Sequence, residues 1–202
     1  MHYPPFFDQV PTIALQDPLS DFLGAFEEGK LSISYLDCVK LAGHSCPTVA
    51  GAYLMALKGL EALYPETLPQ RGSIHVGMRE KEIEGVTGVT CNVLAFIVGA
   101  SGAGGFKGIA GNFSRDNLIG YDIPMEGEVT LTRLDTNAKV TLSFNASIVP
   151  PDAQMKPLMG KALQDMATPQ EREAFATLWQ ARVEKILLSP NLWDTMITIK
   201  KG

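Results

Sequence analysis

The chain is poor in the residues that usually declare a function. Three cysteines and three histidines are spread over 202 residues, too few thiols for a disulfide framework. Basic runs are absent: 17 Lys and Arg face 22 Asp and Glu, for a net charge of −5. Nucleic-acid binding needs clustered cations against phosphate, so that class is excluded. No apolar run approaches the roughly 20 residues that cross a bilayer; the longest candidate, Val89 to Ala100, is interrupted by Asn92. The opening Met-His-Tyr-Pro-Pro-Phe-Phe-Asp lacks a basic segment followed by an apolar one, so no secretory leader is expected. Internal repeats and low-complexity tracts are also missing. The remaining expectation is a soluble cytoplasmic protein with reduced thiols. With 46% apolar and 19% charged residues, it has ample material for a core.

Turn and capping signals divide the chain. Asp17-Pro18 reads as a helix start, with Leu19, Phe22, Leu23 and Phe26 as an apolar stripe. Leu31 to Leu41 reads as a strand, from β-prone Ile33, Tyr35 and Val39. After the turn Gly43-His44-Ser45-Cys46-Pro47, apolar residues from Val49 to Leu63 recur at helical spacing. Gly51 and Gly59 inside that helix predict close packing. Ser73 to Arg79 reads as a strand, and Val89 to Val98 fits either a buried strand or a helix. Two segments, Val129–Leu134 and Lys139–Asn145, flank Asp135-Thr136-Asn137 and predict a hairpin. Thr168-Pro169-Gln170-Glu171 is a capping box opening a helix with a Phe175-to-Leu187 stripe, expected to cover the sheet. Asp194 to Lys200 reads as a last strand. Pro150-Pro151 separates an α+β domain, 1–150, from a helical extension, 151–202, packed on the same core.

The chemical signal is His44-Ser45-Cys46-Pro47 at a helix start. Unpaired N–H groups and the helix dipole favour a thiolate there, as nucleophile or metal ligand. A small buried cysteine beside a turn histidine is the ordinary alternative. Cys91, if it met His44 and Cys46 in space, would complete a three-donor site of the kind zinc takes. Cys38 and His75 are candidates for a fourth position, against the ordinary readings of a buried strand cysteine and a solvent-facing or hydrogen-bonded histidine. Among Glu80, Glu82 and Glu84, a carboxylate near the thiols would serve as general base, with Glu84 the catalytic candidate. The Gly-rich segment 99–111 is neither a strict GxGxxG nor the opening of a helix, so a dinucleotide site is not expected; an anion-facing or substrate-facing loop remains open. Arg115 and Asp116, just beyond it, are candidates for orienting a polar substrate.

Together, Gly43-His44-Ser45-Cys46-Pro47, the small-residue helix Ala50-Gly51-Ala52-Tyr53, Glu84, Cys91 and Gly104-Gly105-Phe106-Lys107-Gly108 resemble the FmdE family of formylmethanofuran dehydrogenase proteins over about residues 35–147. Thr48 stands where the family usually has Gly, and Leu94 where it often has Asp. No cysteine follows Cys91, so the zinc-finger-like tail of some members is not expected and the chain reads as a divergent stand-alone member. The resemblance implies a mixed sheet with an α-β-α-β-β-β core, which makes 89–98 a helix. It also implies zinc, or iron, at His44, Cys46 and Cys91, a homodimer, and a place in one-carbon metabolism. These features lead to a metal-binding protein acting on or carrying a one-carbon or carbonyl substrate. The alternatives are a non-catalytic accessory or carrier component of a partner enzyme, and a metal-free enzyme with Cys46 as nucleophile.

Overall fold

A computed structural model describes residues 2–202. Strands β1 (Ile13–Gln16) and β2 (Lys30–Ile33) form a small antiparallel ribbon. Between them lies α1 (Pro18–Phe22), with Asp17 accepting the Leu19 and Ser20 N–H groups. Here the expected apolar stripe fails. The helix is five residues long and buries none of them, and Phe22 and Leu23 are each 61% exposed.

The expected strand 31–41 is divided at Ser34. β2 ends at Ile33, and α2 (Tyr35–Ala42) follows. Ser34 and Asp37 form a reciprocal capping box, which satisfies orphan N–H groups and starts the helix despite its β-prone residues. Cys38 is therefore a helix residue whose side chain, with that of Tyr35, is buried.

The family order is observed from there: α3 (Pro47–Leu63), β3 (Ile74–Met78), α4 (Thr87–Val98), β4 (Ile119–Gly120), β5 (Val129–Arg133) and β6 (Lys139–Phe144). The main sheet runs β4-β3-β5-β6-β7, with β3 and β4 parallel and the other pairs antiparallel. It is a mixed sheet in an α+β fold. The edge strand β7 (Ile197–Lys201) follows α7 (Pro190–Met196), so the expected strand 194–200 begins as helix. Pro190 at the first helical position suits that start.

α3 lies between the sheet and the other helices and is apolar on nearly every side, as a central helix must be. Val129, Leu131, Val140 and Leu142 of the hairpin are buried, and Leu131 and Leu142 lie against Gly59 of α3. Each such side chain contributes about 1.5–3 kcal/mol. A methyl on Gly51 would come within 2.2 Å of the Phe144 ring, so glycine sets how closely α3 approaches β6. α5 (Met155–Leu163) and α6 (Pro169–Leu187) follow the hairpin. α6 packs on α3 and α5 rather than directly on the sheet. Its Val183, Ile186 and Leu187 join the same core as the rest of the chain.

Candidate functional site

Gly43, left-handed at φ 75°, closes α2, and three residues separate it from Pro47, where α3 begins. The intervening turn is fixed by its middle residue. The Trp179 indole N–H donates to the Ser45 carbonyl over 2.9 Å, and the Gln180 amide donates to the same oxygen over 3.3 Å. The Ser45 hydroxyl in turn donates to the Gln180 side-chain oxygen Oε1, 3.0 Å. Its oxygen is left to accept from Tyr35, 2.9 Å. Burial pushes the Tyr35 phenol well above its ordinary pKa, which keeps it a donor. The turn is thus held from α2 and α6.

Its two flanking residues have different roles. Cys46 caps α3, its sulfur accepting the Val49 N–H at 3.5 Å. His44 is exposed, with Nδ1 2.9 Å from the Ala42 carbonyl. A carbonyl only accepts, so Nδ1 carries the hydrogen and Nε2 is the nitrogen left for other chemistry.

The other candidates lie on elements that neighbour this turn. Cys91 is fully buried on α4. Burial raises its pKa, opposed by a hydrogen bond with Tyr121. Tyr121 reaches Glu82 over 3.5 Å. Cys38, also fully buried, is pushed up to about 12 by burial. His75 is half-buried on β3, its pKa lowered by burial, with its ring close to Gly120. Glu84 is exposed and accepts the Lys81 N–H at 3.3 Å. It lines a cavity of about 490 Å³ with Thr48, Glu80 and Glu128. His44 is not on that wall. Among the described residues, no three His, Cys, Asp or Glu side chains form a group that could hold a metal. His44, Cys46 and Cys91 as placed do not fit a shared ion.

His44 lines a different cavity, of about 600 Å³, between the end of α2, the Asn92 face of α4 and the first residues of the Gly-rich segment. Two of its lining residues, Arg71 and Arg115, meet in a polar hub around Asp17, which no sequence motif marks. Asp17, 1% exposed, takes Arg71 Nη1 at 3.2 Å and Arg115 Nη2 at 2.5 Å. Burial disfavours the charged Asp17 carboxyl. The hydrogen bonds from Arg115, Ser20 and Arg71 outweigh that and hold its pKa below the ordinary value. Arg71 also donates to the carbonyls of Phe96 (2.7 Å) and Ile97 (3.1 Å), capping the negative end of α4. Gly99 ends that helix at φ 70°, and a methyl there would lie 2.8 Å from Arg71 Cγ and 2.9 Å from Arg115 Nη1. The Gly-rich segment accordingly runs from a helix end into a loop. Its Ser101 N–H donates to the Arg115 carbonyl, while Lys107 pairs with Asp116 at 2.6 Å. Arg115 and Asp116, adjacent in sequence, belong to separate ion pairs.

A family model described as "FmdE, Molybdenum formylmethanofuran dehydrogenase operon" matches residues 41–192. This chain belongs to the FmdE family. No curated protein matches it. The FmdE match begins just before the His44–Cys46 turn and extends through α6, so it includes Trp179 and Gln180, which hold that turn. The residues expected to carry the resemblance stop near 147. The helical segment beyond them lies inside the family match, while Asp17 lies outside it. No described helix is long and apolar enough to cross a membrane.

Proposed function

We propose that this FmdE-family protein binds a small polar organic molecule in the cleft beside His44, in a substrate-handling or accessory role in one-carbon chemistry. One observation carries the reading. The imidazole of the family's signature turn lines the same 600 Å³ cavity as the Asn92 amide and the Arg115 guanidinium. A concave site with a few polar groups on apolar walls is what a metabolite-sized ligand requires. His44, its Nδ1–H committed to Ala42, offers Nε2 to accept or return a proton. Asn92 and Arg115 supply orienting donors.

A fragment screen by nuclear magnetic resonance on the full chain tests this. Ligands are expected to shift the Asn92, Ser101 and His44 signals together, and His44→Ala should weaken their binding. Hits clustered elsewhere, with these signals unmoved, would overturn the reading.

The second reading is a resident zinc or iron at His44, Cys46 and Cys91. The donor set favours it, since imidazole and thiolate are zinc ligands. The placement of the three side chains does not, so no step of the function is routed through a metal. Elemental mass spectrometry tests this second reading. About one metal ion per chain, lost in both Cys46→Ala and Cys91→Ala, would establish a shared site. A metal-free protein from chelator-free reducing preparation would remove it.

A further inference from the structure

The cleft beside His44 has a charge imbalance among the residues that line and back it. Two guanidinium groups, Arg71 and Arg115, share one carboxylate, Asp17. The side chains are 19%, 14% and 2% exposed, so solvent screens the imbalance only in part. The two arginines are not equivalent. Arg71 uses Nε, Nη1 and Nη2, giving two bonds to the end of α4 and one to Asp17. The partial negative charge of that helix end offsets much of its own charge. Arg115 makes one bond, through Nη2. Its Nε and Nη1 have no acceptor among the described residues. No buried side-chain nitrogen or oxygen there lacks a partner, so these two nitrogens reach solvent. Nη1 lies beside Gly99, on the cleft wall, where the missing side chain leaves it uncovered.

None of the described residues lining this cleft is acidic, although the chain carries a net charge of −5. A recess with uncompensated positive charge in an acidic molecule concentrates anions from solution. The α4 wall adds the neutral Asn92 amide, which can donate as well as accept.

From this geometry we infer that the cleft is an anion site, with Arg115 Nη1 as the principal donor to a carboxylate or phosphate group of the bound molecule. The inference rests on the cleft being the ligand site, and it adds the ligand's chemical class. A planar guanidinium matches either oxyanion, so both are bound by the same chemistry.

The test titrates the full chain at constant ionic strength with inorganic phosphate, with succinate, and with the neutral analogue succinamide. The Arg115 Nε–H, the Gly102 amide and the Asn92 side-chain amide are followed by nuclear magnetic resonance. A saturable shift with either anion and none with succinamide is the expected result. Which anion saturates first separates a phosphate ligand from a carboxylate ligand. Arg115→Gln should weaken the binding about tenfold or more. Because Arg115 also supports Asp17, Asn92→Asp provides a second variant. It leaves the hub intact, sits at an exposed helix position, and should suppress binding by like-charge repulsion. Equal binding of succinamide would overturn the anion inference and leave the cleft as a neutral-ligand site. No response to either anion would also overturn it, with the fragment screen then deciding the cleft reading separately.

Discussion

The indole nitrogen of Trp179 and the carbonyl oxygen of Ser45 lie 2.9 Å apart, although 134 residues separate them along the chain. Through this bond a C-terminal helix sets the backbone of the turn that carries His44 and Cys46. Trp179→Phe keeps most of the packing and removes the donor. A net loss of about 0.5–1.5 kcal/mol is expected in urea unfolding. Gln180 donates to the same oxygen, so the loss should deepen more than additively when Gln180→Ala is combined with it. The His44 ring resonances should broaden in the double variant.

Asp17 is the most consequential buried charge. Asp17→Asn leaves two guanidinium groups without their shared anion while keeping an oxygen that can cap α1. A loss of about 3–5 kcal/mol is expected by chemical denaturation. The pH dependence has a definite sign. The folded-state pKa is depressed, so the contribution is complete above the unfolded value, 3.8, and is lost as pH falls through the lower folded value. The stability gap between wild type and Asp17→Asn should therefore narrow as pH drops below about 4. A gap constant through that range would show that the carboxylate charge is not what stabilises the hub.

Thiol reactivity should separate the cysteines. Cys46 is 8% exposed at a helix start, whereas Cys38 and Cys91 are 0% exposed. Ellman's reagent should label one thiol per native chain ahead of the other two, and Cys46→Ser should remove that phase. Cys38 and Cys91 should react only as the chain opens, at a rate that rises with urea. Their raised pKa values reinforce the protection.

Gly51→Ala tests the approach of α3 to the sheet. The new methyl would lie 2.2–2.6 Å from three atoms of the Phe144 ring. An overpacking cost of about 1–3 kcal/mol is expected, measured by thermal unfolding and partly relieved by Phe144→Leu. Gly59→Ala meets the flexible methyl ends of Leu131 and Leu142 at 2.9 Å and should cost less.

Much of the frame could be read from local signals. The capping box at Thr168, the hairpin around Asp135-Thr136-Asn137 and the small residues of α3 each specify their element from within a few positions. The strand expected over 31–41 fails because the Ser34-x-x-Asp37 capping box starts a helix in spite of β-prone Tyr35 and Val39. The spacing of Tyr35 and Cys38, both buried, also fits a helix face. At the site, His44 and Cys46 stood out because they adjoin one turn. The Asp17 hub did not, because its partners lie 54 and 98 positions away. Arg115 adjoins Asp116 in sequence, yet its carboxylate partner is Asp17. Charge pairing across such separations follows from the completed fold, and adjacency gives no guide to it.

The long reach between Ser45 and α6 also sets an order of events. Closing so wide a loop requires nearly the whole chain to be present. Ribosome-held chains ending before residue 169, where α6 begins, should leave the His44–Cys46 turn unprotected against hydrogen exchange. The His44–Cys46 turn would then take its final shape only late in synthesis, whatever the state of the N-terminal half of the chain.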